Sequence, residues 1–536
     1  MKINTEAIPG TVHLVDYGTE VGEAIKEVVL SPTPNTLDPN NEPLLWNRNR
    51  KYLSLFCVIV YTYAVGVTSA AIYSVLENIV DNTNLTLDNL NQGTGCAFLF
   101  YGWGCVFWQA LALQYGKRPV YLFTCLATAL LCIWTPYTNG YSEWIGSKIL
   151  TGFFGAPIES LLEISISDIY FEHERGTYMG VYALSLVTSN YMAPLVAGFI
   201  ADGQGWKWVR YWCAIFDAVC FVVLFFLMEE TKYSRPHISV DDEIPQTAEK
   251  THDADALKMV AQTEVRSVQQ DTDSQLPVPP GKTYAQRLKL LDKPRPFMMH
   301  KIIIRQFAML RFPGIVWAGF QYGTSLVWFN VLNATASSIY SSSPYNFSTS
   351  IIGVTYACPI IFCFIFSYYT GITGDKIRIY LARKSNGVSE PEHRLWLMLL
   401  YLIICPFALI LWGVGAYHKV HWFGIVFGMG LLGGTATLGC SCSVNYVVES
   451  YRELSGQAMV PVILIRNTMS FAINYGITPW VSNQGLQNTF IAAAGISIAC
   501  IGTFVPMIYT GKYWRNRTKL AYWTYLQEAL DTGMAH

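Results

Sequence analysis

The chain has 536 residues, 52% hydrophobic, 14% aromatic and only 14% charged, with a net charge of −1. Soluble domains carry about 25% charged residues, so these charges are too few for a water-facing surface of this size. No basic patch with interleaved aromatics occurs, and G-x-S-x-G, the P-loop pattern and H-E-x-x-H are missing, so neither a nucleic-acid partner nor an enzyme is expected.

In chain order, residues 1–50 are polar and read as a mostly flexible cytoplasmic segment without a cleavable signal. Six apolar runs follow, near 52–76, 91–115, 119–140, 142–167, 177–200 and 208–228, forming an N-terminal half over 51–228. Each reaches the ~20 residues that a helix needs to cross hydrocarbon. Residues 229–312 break the pattern with "DDEIPQTAEKTHDADALK" and "LPVPPGK", and read as a mostly disordered cytoplasmic linker. Six more runs lie near 313–340, 350–371, 396–417, 421–448, 456–480 and 487–510, giving a C-terminal half over 313–510 and a cytoplasmic tail over 511–536. The expected fold class is an all-α membrane protein, with twelve transmembrane helices in two pseudo-symmetric six-helix halves.

Short-loop bases set the orientation. Lys117, Arg118, Arg175, Lys376, Arg378, Arg383, Lys384, Arg394 and Arg452 fall on one side, against Lys207, Arg210 and Lys419 on the other. The rich side, with both termini, is expected to be cytoplasmic. The sequons at Asn84 and Asn346 then face outward as glycosylation sites, while that at Asn516 stays bare. The 13 cysteines lie mostly in apolar runs, and Cys440-x-Cys442 lacks a second ligand pair, so no metal and no cofactor are expected.

Charges inside spans are rare, and therefore informative. The fourth span holds Lys148, Glu159 and Glu163, the sixth Asp217 and the eleventh Arg466. At ~100° per residue, Lys148 and Glu159 fall within ~20° of each other, with Glu163 a further ~40° round. This face is expected to look inward, with the two carboxylates binding protons or cations. Arg466 is the natural counter-ion, pairing with Glu159 or Glu163 in one conformation and releasing it in another. Tyr322, Trp328, Asn445 and Tyr446 are candidate substrate contacts, because aromatic faces attract ammonium groups.

"QALALQYGKRP" (109–119) resembles the signature loop of the major facilitator superfamily: Gly116, Lys117 and Arg118 match, while Gln109 and Leu113 stand where a Gly and an Asp are usual. "GITGDK" keeps the spacing of Gly371 and Asp375. "SNYMAPLVAG" is similar to the fifth-span antiporter motif at Pro194 and Gly198, with Ala193 and Ala197 replacing glycines. "SDIYFEHERGTYMG", "EETKYSR" and "PEHRLW" resemble the fungal drug:proton antiporter group, and nearly the whole membrane portion is similar to fungal polyamine and histidinol transporters. The resemblance implies a proton-coupled, monomeric carrier at the plasma membrane, importing small organic cations such as spermidine by alternating access. It also implies gating roles for Lys117, Arg118 and Asp375, beside the gating read above for Arg466, and a polyamine's spaced ammoniums call for a second anchor, for which Glu77 and Glu449 are candidates. A multidrug exporter of the same fold and a nutrient receptor signalling through the linker are the rival readings.

Overall fold

A computed structural model describes residues 8–13, 42–231, 283–289, 297–385 and 387–531. Most of the expected linker, and much of the expected N-terminal segment, lie outside the described residues.

The described chain is helical apart from one antiparallel pairing, β1 (Val12–His13) with β2 (Val388–Ser389). The first half contains α1 (Arg48–Ala70), α2 (Leu76–Asn82), α3 (Leu87–Tyr115), α4 (Lys117–Trp134), α5 (Tyr141–Gly155), α6 (Pro157–Ile169), α7 (Glu172–Gln204) and α8 (Trp206–Leu227). Short helices α9 (Tyr284–Arg287) and α10 (Met299–Ala308) precede the second half. That half contains α11 (Pro313–Ser341), α12 (Thr349–Thr355), α13 (Ala357–Tyr368), α14 (Gly374–Lys384), α15 (Met398–Tyr417), α16 (Trp422–Ser450), α17 (Ser455–Gly502) and α18 (Phe504–Asp531).

Ten helical stretches among the described residues are long and apolar enough to cross a membrane. One of them, Arg452–Ala529, crosses twice. Gly485 has φ 76°, a conformation that favours glycine, and there the chain reverses. The Thr489 hydroxyl donates to the Trp480 carbonyl at 3.3 Å, whereas an unbroken helix would place residues nine apart ~13.5 Å from one another. Helix α11, with 29 residues, is also long enough to cross, and Gln321, Asn330 and Asn333 make it more polar than the others. With these two additions the described residues hold twelve helical lengths able to cross a membrane.

Several expected boundaries move. The fourth span is not one helix but α5 followed by α6, because Pro157 has no N–H to continue the ladder. The first span ends at Ala70, and α2 follows a turn. The eighth runs through a π-turn at Tyr369–Thr373 into α14. The twelfth continues past 510 as α18. Arg210, read as an outer-loop base, is buried in α8 and donates to the Thr68 carbonyl at 2.8 Å.

The halves meet along two seams. Helix α3 packs against the first limb of α17, and α7 against α12 and α13. At the second seam the backbones touch: a Cβ on Gly198 would come 2.5 Å from the Thr349 carbonyl oxygen, and one on Gly353 2.9 Å from that of Pro194. The antiporter-like stretch 189–198 therefore lies on this seam. The space between the seams is where the site forms.

Candidate functional site

A cavity lies between the halves. Helices α1, α3, α6 and α7 supply one wall, and α11, α16 and α17 the other. The lining is mostly apolar and aromatic, with Phe98, Tyr101, Tyr191, Tyr322 and Phe329 as its rings. Its charged groups are Glu159 from the first half and Arg466 from the second.

These two form an ion pair across the cavity. The break at Pro157 starts a new helix and puts Glu159 in its first turn, where the helix dipole favours a carboxylate. Arg466 is 4% exposed, and its guanidinium lies 4.4 Å from the centre of the Tyr322 ring. The arginine is thus held by a charge on one side and an aromatic face on the other. Its Nε, the Tyr101 hydroxyl and the Thr437 hydroxyl are buried without a hydrogen-bond partner. Tyr101 and Thr437 line the cavity from opposite halves.

Of the sequence candidates, Glu159, Tyr322 and Arg466 come together here. Glu163 is one turn beyond Glu159, half-buried, with no hydrogen bond or ion pair to the described residues. It does not line this cavity. Lys148 shares the helix face only in projection: eleven residues of rise place it ~16 Å along the axis from Glu159. It is buried there, with its ammonium 4.6 Å from the centre of the Trp144 ring. Trp328 is buried outside the cavity, and Phe329, ~100° further round α11, takes the lining position. Asn445 and Tyr446 lie more than a turn past Cys440, the last lining residue of α16. Tyr446 is fully buried, packs edge-on to Trp317 and donates to Glu392 at 3.4 Å. None of these three lines this cavity: composition marked their helices, but not the face. Asp217 is buried within the first half, accepting from Thr68 at 3.1 Å.

The candidate anchors Glu77 and Glu449 also stand apart. Glu77 begins α2, where burial pushes its carboxyl above the usual range. Glu449 faces Arg378 at 3.3 Å and Arg394 at 3.2 Å. The sequons Asn84 and Asn346 are both exposed, in the loops that flank α2 and precede α12.

The gating candidates sit where chain ends and loops gather, here called the terminal end. Lys117 pairs with Asp168 at the end of α6. Arg118 donates to the carbonyls of Leu288 and, at 2.7 Å, Phe225. The Glu230 carboxylate accepts from the backbone of Lys117 at 3.1 Å and Arg118 at 3.0 Å, capping α4. Asp375 pairs with Arg394. A further cluster centres on Arg515, which is fully buried and donates to Glu392 at 2.6 and 3.0 Å, to Glu390 at 2.7 Å and to the Pro9 carbonyl. Asp168, Glu230 and Glu392 were not singled out from sequence, and Arg394 only as one of the orienting bases. Each lies inside one of the three antiporter-like stretches, which was the available signal.

The model of the major facilitator superfamily matches residues 55–471. The chain belongs to that superfamily. It is 28% identical to an uncharacterised MFS-type transporter of Schizosaccharomyces pombe, with 97% of this chain and 95% of that protein aligned. It is 25% identical to Protein HOL1 of Saccharomyces cerevisiae, over 96% of each. The MFS antiporter QDR3 of Candida albicans is 22% identical over 87% of this chain and 78% of its own length. Among solved structures, the Escherichia coli xylose transporter XylE in a partially occluded inward-open form aligns over 84% of this chain and 96% of its own, with TM-score 0.55 and 14% identity. That likeness concerns the fold. A superfamily member is an integral membrane transporter of the secondary type and not an enzyme, and the cavity between the halves is where such a fold holds its cargo.

Proposed function

We propose that this transporter imports organic cations, with polyamines such as spermidine and histidinol-like amines as the cargo, coupled to protons at the plasma membrane, and with both termini in the cytoplasm. The observation that carries the reading is the Glu159–Arg466 pair spanning the two halves in an aromatic cavity.

An ammonium entering the cavity competes with Arg466 for Glu159. A proton travelling with it goes to Glu163, because one carboxylate contested by both ions would exchange proton for cation rather than carry them together. Released Arg466 has the Tyr322 face as its remaining partner. Because the pair joins opposite halves, loss or recovery of the bond biases how the halves rock. Glu163, one turn from Glu159 and without an ion-pair partner among the described residues, is the second carboxylate for that proton.

Radiolabelled spermidine uptake in cells lacking their own polyamine uptake tests this. Wild-type protein should accumulate the label and lose it on adding a protonophore. Glu159→Gln should abolish uptake, with surface abundance unchanged. Full uptake by that variant would remove Glu159 from the mechanism. A second reading, export of cationic drugs, draws support from the antiporter-like stretch on the seam and from the likeness to an MFS antiporter. Drug resistance on overexpression, without accumulation of spermidine, would favour it.

A further inference from the structure

Helix α10 lies outside the bundle proper, yet it touches both halves. Ile303 and Phe307 pack with Val106 of α3 and with Val460 and Leu464 of α17. The Phe307 ring is 6.2 Å from that of Trp103, itself 50% exposed on α3. The helix therefore straddles the α3–α17 seam, beside side chains that look outward into lipid.

Its opposite face is uncovered. Phe297, just before the helix, and Ile304 within it are each 64% exposed. His300, Lys301, Leu310 and Arg311 are exposed alongside them. Residues 297–312 contain Lys301, Arg305 and Arg311 and no Asp or Glu. Arg305 is tied to α18, donating to the Glu528 carbonyl at 2.9 Å. Large apolar groups flanked by bases and no acids are the composition of a helix lying in a membrane interface. An aqueous face would leave Phe297 and Ile304 in water, and a protein partner would be expected to bring the basic groups acidic ones.

We propose that α10 is an interfacial helix that binds anionic phospholipid headgroups through Lys301 and Arg311, with Phe297 and Ile304 inserted among the acyl chains. This rests on reading the terminal end as cytoplasmic, because the cytoplasmic leaflet carries the anionic lipid. Since α10 contacts α3 and α17 together, lipid held there also favours the state in which that seam is closed.

The test uses the full-length protein in mild detergent, supplied with phosphatidylserine or phosphatidylcholine, with native mass spectrometry counting retained lipids. It needs no transport assay, so its failure is distinct from failure of the cation reading. Wild-type protein should retain phosphatidylserine over phosphatidylcholine. K301E/R311E should reduce the retained phosphatidylserine by roughly tenfold or more, at ~1 kcal/mol per basic residue. Lys207→Glu, at the far end of the molecule, should leave it unchanged. Retention equal to wild type in a K301E/R311E variant that melts normally would overturn the proposal. So would displacement of the lipid by inorganic phosphate alone, which would mean an anion site without a membrane. If K301E/R311E fails to fold, Ile304→Asp gives the same reading: undiminished retention overturns the proposal and loss supports it.

Discussion

At the terminal end, the two halves close corresponding loops with different wiring. In the first half the charges are buried: Lys117 and Asp168 have side-chain exposures of 2% and 9%. Glu230 caps α4 beneath them. In the second half the corresponding carboxylate, Asp375, is 64% exposed, and its partner Arg394 is shared with Glu449. The first-half sequence has Leu113 where the superfamily usually has its aspartate, and Asp168, from the end of α6, meets the base instead. A buried pair and a solvated pair in related places should respond differently to mutation. In the buried one, loss of a partner strands a charge; in the solvated one, water takes over.

The largest effect is therefore expected at Asp168. Asp168→Ala leaves the Lys117 ammonium buried, and should lower stability by about 3–5 kcal/mol in thermal or denaturant unfolding of the detergent-solubilised protein. The double variant K117M/D168L should recover most of that loss, because an apolar pair of similar volume needs no desolvation. If the double variant is no more stable than Asp168→Ala, the pair is not the unit that matters, and the contrast between the halves fails at its stronger end.

The Arg515 cluster provides an intermediate case with a pH signature. Glu390 is buried, which by itself raises its carboxyl pKa. The ion pair with Lys512 at 2.8 Å, and the hydrogen bond and charge of Arg515, outweigh burial and hold it below the usual value. A carboxyl depressed in the folded state stabilises fully above its unfolded value of about 4.3, and that contribution is lost as pH falls through the folded value. Unfolding temperature should thus drop as pH is lowered below about 4.3, and Glu390→Gln should flatten that drop. A wild-type curve and a variant curve of identical shape would show that Glu390 is not among the titrating groups.

How much of this was legible depends on what each residue's neighbours are. The twelve crossings follow from apolar run lengths, and even the reversal at Gly485 fell in the gap left between the eleventh and twelfth runs. The Glu159–Arg466 pair was readable because charges within spans are rare and both lie at similar depth. Trp328 and Tyr446 do not line the cavity because a helix turns ~100° per residue, so naming the helix does not name the lining face. Lys148 shows the complementary limit: it shares the face of Glu159 in projection, but sharing a face says nothing about height along the axis. The role of Asp168 was hidden because it depends on where α6 ends against α4, a tertiary distance that periodicity does not encode. Arg515 was hidden further still: its partners come from residues 9, 390 and 392, remote in sequence and joined only by the fold.

The smallest effect should be at Asp375, and it is the sharper test of the comparison because it sets its lower bound. An exposed ion pair contributes about 0–1 kcal/mol, and Arg394 keeps Glu449 at 3.2 Å when Asp375 is neutralised. Asp375→Asn should therefore leave the unfolding midpoint nearly unchanged, and what change there is should shrink further in high salt. Glu449→Gln removes the shared acceptor from both Arg378 and Arg394, whose side chains are 22% and 13% exposed, and should exceed Asp375→Asn in the same assay. If Asp375→Asn instead destabilises as strongly as Asp168→Ala, the second-half carboxylate is not solvated in the working protein. The halves would then differ in sequence but not in physics, and the position left empty at Leu113 would lose its explanation.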